Sequence, residues 1–215
     1  MRVALAVTLF ALGCAPLVAQ TQAPAAYTYH DPSGFSYAVP ADWEIVDAQA
    51  SMSDAKGSAT ENASSDAEKK GIACAQIGLT ARHGDPAAVI VVEILPYDCF
   101  GQQMTENDLH GFGTGAAEGL KQSFDVGDPR ITTYDLDSHH LWIERVPGTP
   151  KSQPDMHYTV EIACTLLHKA AVCWMTLATD PASLAIFEQS AVTLEGDSST
   201  PLVPAGTFPG PAPQP

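Results

Sequence analysis

Five cysteines are the residues best equipped for chemistry in this chain: Cys14, Cys74, Cys99, Cys164 and Cys173. Thiols can bridge, bind metal or cycle between redox states. No C-x-x-C occurs, which argues against a dithiol catalyst, and the histidines lack zinc-site spacing around the cysteines. Cys14 lies in the N-terminal apolar stretch, so four cysteines remain for the folded part, with three possible pairings. If "LLHKAA" turns through His168-Lys169, Leu167 faces Ala170 as a hydrogen-bonded pair. Counting back, Cys164 then faces Cys173 at a non-hydrogen-bonded site, where Cα atoms approach to about 4.5 Å. Similar counting around Gly84-Asp85-Pro86 brings Cys74 near Cys99, within about two residues of register. Disulfides Cys164–Cys173 and Cys74–Cys99 are therefore expected, with reduced, buried cysteine as the alternative.

Other motifs invite chemistry and lack its context. "GFGTGAAEGL" carries Gly111, Gly113 and Ala116 as G-x-G-x-x-A, but the polar "QQMTENDLH" before it is no strand, so a dinucleotide loop is not expected. Gly111, Gly115 and Gly119 recur every four residues and predict a small-residue stripe that lets a helix approach a sheet. His139 and His140 point to opposite faces of a strand and cannot share a metal. Glu144 and His157 could approach across a long connection. There is no G-x-S-x-G, and the many carboxylates single out no acid–base pair. Trp43, Trp142 and Trp174 could line a groove, although strand positions favour core packing. Asn62-Ala63-Ser64 fits a glycosylation sequon. No catalytic, cofactor-binding or metal-binding residue is assigned, and no cofactor is expected.

The chain ends bound the class of protein. "MRVALAVTLFALGCAPLVAQ" has one basic residue and an apolar run too short to span a bilayer, which predicts a signal peptide over 1–19 with cleavage after Ala19. "ALGC" supports a second reading, a lipoprotein signal with Cys14 acylated. Residues 20–26 form a short linker and 27–194 one domain. Residues 195–215 hold six prolines in 21 residues and predict a disordered tail. Formal charge is −15, or −16 once Arg2 leaves with the signal, which repels phosphate backbones and excludes nucleic acid as an expected partner. No later run has the about 20 apolar residues of a transmembrane helix.

The elements between the ends read as follows. "YTYHDPSGFSYAVP" predicts a hairpin about Asp31–Gly34. The stretch 47–70 is a low-complexity excursion, with Ala55, Ala59, Ala63 and Ala67 at helical spacing. "GIACAQIGLTAR" and the apolar "AAVIVVEILPYDCF" predict paired strands, the second central and covered on both faces. "TENDLHGFGTGAAEGLKQSF" predicts a helix with Leu109, Phe112, Ala116, Leu120 and Phe124 on one face and a Thr105/Asp108 capping box. From Arg130 the period becomes two, and "RITTYDL", "HHLWIERV", "MHYTVEIACTLL" and "AAVCWMTLAT" predict four antiparallel strands joined in sequence. Asp180-Pro181 then opens a helix with Leu184, Phe187 and Ala191 inward. The class is α+β.

The opening residues Gly34, Phe35, Tyr37, Pro40 and Trp43 resemble the G-F-x-[FY]-x-x-P-x-x-W signature of PsbP-like proteins. That superfamily also includes a Ran-binding nucleotide-release factor and secreted bacterial lipoproteins. The element order over about Tyr27 to Leu194 is similar too. The resemblance implies an αβα sandwich around a mainly antiparallel sheet, acting through binding as a photosystem accessory subunit or cell-envelope factor. It implies no shared catalytic residues, and Phe35 and Trp43 then belong to the scaffold. The expected function is an exported, periplasmic or extracellular, non-catalytic binding or accessory protein whose partner is an unknown envelope protein or small ligand. The alternative is a secreted hydrolase or metal-dependent enzyme on the same frame.

Overall fold

A computed structural model describes residues 27–47, 56, 65–85, 87–101 and 103–203. The stretches read from the sequence as signal and linker, most of 47–70 with its sequon, and residues 204–215 lie outside the described residues.

β1 (Tyr27–His30) and β2 (Phe35–Val39) form the expected hairpin, registered Tyr29↔Tyr37. Its turn closes because the Asp31 carboxylate accepts the Ser33 amide at 2.8 Å and the Gly34 amide donates to Asp31 O at 3.0 Å. Gly34 has φ 102°, which side-chain-bearing residues rarely adopt. β3 (Glu44–Ile45) then pairs with β4 (Gln76–His83), and β4 with β5 (Ala88–Pro96). The meander follows: β7 (Arg130–Leu136), β8 (His139–Pro150), β9 (Tyr158–Leu166) and β10 (Ala170–Ala178), each pairing antiparallel with the next. β10 also pairs antiparallel with β5, making β5 and β10 the centre of an eight-stranded sheet whose other end carries β6 (Phe124–Val126) on β8. A second, four-stranded sheet runs β1-β2-β11-β12, with β11 at Ala191–Leu194 and β12 at Thr200–Pro201.

Both faces of the large sheet are covered, as the apolar run of β5 requires. One face packs under α1 (Asp66–Cys74), the short turn α2 (Tyr97–Phe100) and α3 (Glu106–Leu120), burying Ile72, Leu109, Phe112, Leu120, Trp142 and Ile162. The other packs against the small sheet and α4 (Pro181–Gln189), burying Phe35, Tyr37, Trp174, Phe187 and Val192. The fold is α+β with antiparallel sheets, and one outer layer combines a small sheet with a helix. Among the described residues no helix is long and apolar enough to cross a membrane.

Local signals explain most boundaries. The Thr105/Asp108 capping box is formed, and the Asp180 side chain accepts the Ala182 and Ser183 amides at 2.8 and 3.0 Å. Four expectations are corrected. Phe124 is not on the α3 face, because α3 stops at Leu120 and Phe124 opens β6. Ala191 starts β11 instead of ending α4. "GIAC" finishes helix α1 and is not a strand. The tail does not begin at Glu195: Thr200–Pro201 pairs with β11, and Leu202 and Val203 are buried.

The glycine stripe holds only in part: Gly119 is buried, but Gly111 is exposed. A Cβ on Gly111 would meet nothing within 4 Å, whereas one on Gly113 would lie 1.9 Å from the Trp142 ring. Gly113 is thus the residue that lets α3 rest on β8.

Candidate functional site

Both expected disulfides are present, for partly different reasons. Leu167 N donates to Ala170 O at 2.8 Å, so the turn sits where the register demands, and Cys164 faces Cys173 with Cα atoms 4.1 Å apart. Cys74–Cys99 spans 5.6 Å between Cα atoms. It joins the end of α1 to α2, not two strands, so register counting named the right partners by the wrong elements.

The tryptophans are core residues. Phe35 stacks on Trp174 at 5.7 Å, and Trp43 meets Phe187 edge-on at 4.1 Å. The signature residues Phe35 and Trp43 are therefore scaffold. His139 and His140 do diverge: His140 reaches Asp135 at 2.6 Å on an exposed face, while His139 is buried. The Glu144–His157 approach is not made. Glu144 lies opposite Ile162, and His157 Nδ1 is 2.9 Å from Thr149 Oγ1. Among the described residues, no group of three or more His, Cys, Asp or Glu could hold a metal ion.

Titratable groups converge at one end of the sandwich, where four turns meet. Glu195, just past β11, is the hub. Its Oε1 accepts the His168 amide at 2.6 Å, and its Oε2 lies 2.6 Å from His168 Nδ1 and 3.1 Å from His139 Nε2. Glu195 N donates to Gly34 O at 2.9 Å, so one residue ties the small sheet to the β8 and β9–β10 ends of the large one. On the other edge of His139, Nδ1 is 3.2 Å from Asp197 Oδ2 and 3.4 Å from Ser138 Oγ. Burial works to raise the Glu195 pKa, but the His168 amide and the two imidazoles outweigh it and leave it lowered. Sequence reasoning missed this cluster because Glu195 was assigned to the tail. The apolar pair Leu202-Val203 was the signal that the chain still had a face to bury.

Three further carboxylates sit inside the protein: Glu93, Glu144 and Glu161. Glu161 Oε2 accepts Arg145 Nε at 2.8 Å, and Arg145 also pairs with Glu188 of α4. Burial pushes Glu161 up, with Arg145 opposing. Burial also raises Glu144 to about 7, aided by the Glu118 charge. Glu93, opposite Cys173 on β5, is raised by burial to about 7 against the pull of Lys56. The folded state therefore holds a proton on Glu93 between about 4.5 and about 7 that the unfolded chain releases. The associated stability is full below that window and is lost as pH rises through it. Glu93→Gln is expected to remove this group's share of the slope and to stabilise the protein at about pH 8 by up to about 3 kcal/mol. Urea titrations at acidic and alkaline pH would check it; an unchanged pH slope would contradict it.

Fold and site together define an α+β sandwich whose converging polar groups bond chiefly to one another. No family model matches the chain, and no curated protein does. Among solved structures it is similar to cyanobacterial PsbP (CyanoP) from Synechocystis sp. PCC 6803, at 12% identity and a TM-score of 0.40, covering 81% of this chain and 90% of that one. The α+β description stands on the chain's own strand register.

Proposed function

We propose that this chain is an exported, non-catalytic binding or accessory protein of the cell envelope. The observation that carries the reading is the pair of disulfides: bonds of this kind persist in oxidising compartments. The apolar, singly basic 1–19 stretch supports export, and Cys14 leaves membrane anchoring through a lipid as the alternative route. The polar groups that meet at Glu195 brace turns against one another, which suits a scaffold that presents a surface. Its partner is an envelope protein or small ligand, and its strong negative charge disfavours nucleic acid. Crosslinking in intact cells tests this: recurrent capture of one envelope component supports it, and recovery of uncrosslinked protein in the cytoplasm alone overturns it.

One observation favours a hydrolase instead. Ser138 is exposed, its Oγ lies 3.4 Å from His139 Nδ1, and His139 Nε2 faces Glu195, a nucleophile–base–carboxylate order. Against it, Asp197 Oδ2 stands closer to the same Nδ1, at 3.2 Å. A fluorophosphonate probe separates the two readings: covalent labelling of Ser138 selects the hydrolase.

A further inference from the structure

Past the Glu195 hub, the segment that runs to Val203 is held to the body by few bonds of its own. β12 contributes two paired residues, Ala191↔Pro201 and Val192↔Thr200. Beyond them, Leu202 N donates to Ser190 O at 2.6 Å and Val203 N to Glu188 O at 3.3 Å. At its start Glu195 has φ 51°, a left-handed conformation that a non-glycine residue keeps only while its surroundings hold it. Those surroundings are Gly34 O, the His168 amide and imidazole and, as the one buried ring among them, His139. Its ring, with 7% of the side chain exposed, comes from the large sheet and is gripped by two carboxylates of the segment, Glu195 on Nε2 and Asp197 on Nδ1.

The grip depends on the proton count of the ring. With both nitrogens protonated, both carboxylates are attracted. With one proton lost the ring is neutral, and the charge attraction across the 3.2 Å between Nδ1 and Asp197 Oδ2, which no hydrogen bond reinforces, is gone. The Ser138 hydroxyl, 3.4 Å away, can then donate to Nδ1 and displace Asp197. The other groups facing this centre are His168 from the β9–β10 turn and Tyr97 from α2. Tyr97 is pushed up to about 12 by burial and by the Glu195 charge. Neither replaces the missing proton at Nδ1.

We infer that Glu195–Val203 is a strap closed by the doubly protonated His139 and opened when that ring loses a proton, uncovering the β11 edge and the apolar sites of Leu202 and Val203. Closure belongs to the acid side and opening to the alkaline side.

Amide hydrogen exchange on the full chain tests this, with rates divided by the intrinsic rate at each pH. Between about pH 6 and about pH 8.5, protection at Leu202 and Val203 is expected to fall about tenfold or more relative to β10 amides such as Val172 and Thr176, which report global opening. His139→Gln should leave the strap amides poorly protected at both pH values. Asp197→Asn, which carries no charge for the ring to attract, should give the same protection at both pH values. Strap protection that is flat with pH, or that moves in parallel with β10, would overturn the inference. So would a wild-type pH response surviving in either variant.

Discussion

Arg145→Met is expected to lower the unfolding free energy by about 3–5 kcal/mol, the range seen when one partner of a buried ion pair is removed. Glu161 is fully buried and is paired with the Arg145 guanidinium, so the substitution strands a carboxylate in the core. Glu188, itself a quarter exposed, can turn to water and contributes less to the loss. The folded variant can escape only by protonating Glu161, so the deficit is expected to grow as pH rises. Adding Glu161→Leu to Arg145→Met should recover most of it, because replacing both partners removes the stranded charge and leaves apolar groups in the core. Urea unfolding of wild type, single and double variants gives the numbers. A single variant within about 1 kcal/mol of wild type would show that the pair is solvated in the native state.

Gly113→Ala is the second large effect. In an exposed helix interior this change would stabilise by about 1 kcal/mol. Here the new methyl would sit 1.9 Å from one Trp142 ring carbon and 2.2 Å from another. The ring is 5% exposed and also meets His110 edge-on at 5.9 Å, so it has nowhere to turn. α3 must lift from β8, and a net loss of about 2–3 kcal/mol is expected from overpacking. Trp142→Leu in the same chain should relieve the clash and make the two changes strongly non-additive, measurable as a double-mutant cycle in thermal or urea unfolding. Simple additivity would contradict the packing assigned to Gly113.

What could be read in the residues depended on how local the controlling interaction was. Cys164 opposite Cys173 follows from one tight turn, because strand parity propagates from it without error over three residues. The caps at Thr105 and Asp180 were legible for the same reason. Cys74 was placed on a strand because "GIAC" is apolar and short, and nothing local distinguishes the end of a helix from the start of a strand there. The strand read as "HHLWIERV" stops at Val146, and Pro147 and Pro150 follow it. In the fold β8 runs through both, pairing Pro147↔Thr159 and Phe124↔Pro150. That extension shifts the register by which Glu144 would have met His157. Gly113 beneath Trp142, and Glu195 between two histidines, are contacts between distant segments. No spacing rule encodes where a helix crosses a sheet or which turns share an end of a sandwich.

The most direct test of the account is a thiol map of the protein as cells make it. Alkylation before any reduction should leave Cys74, Cys99, Cys164 and Cys173 unmodified, with peptides linked as Cys74–Cys99 and Cys164–Cys173 and all four modified after reduction. Four free thiols in freshly isolated protein would mean a reducing compartment, and the reading of an exported, disulfide-braced module would fall with them.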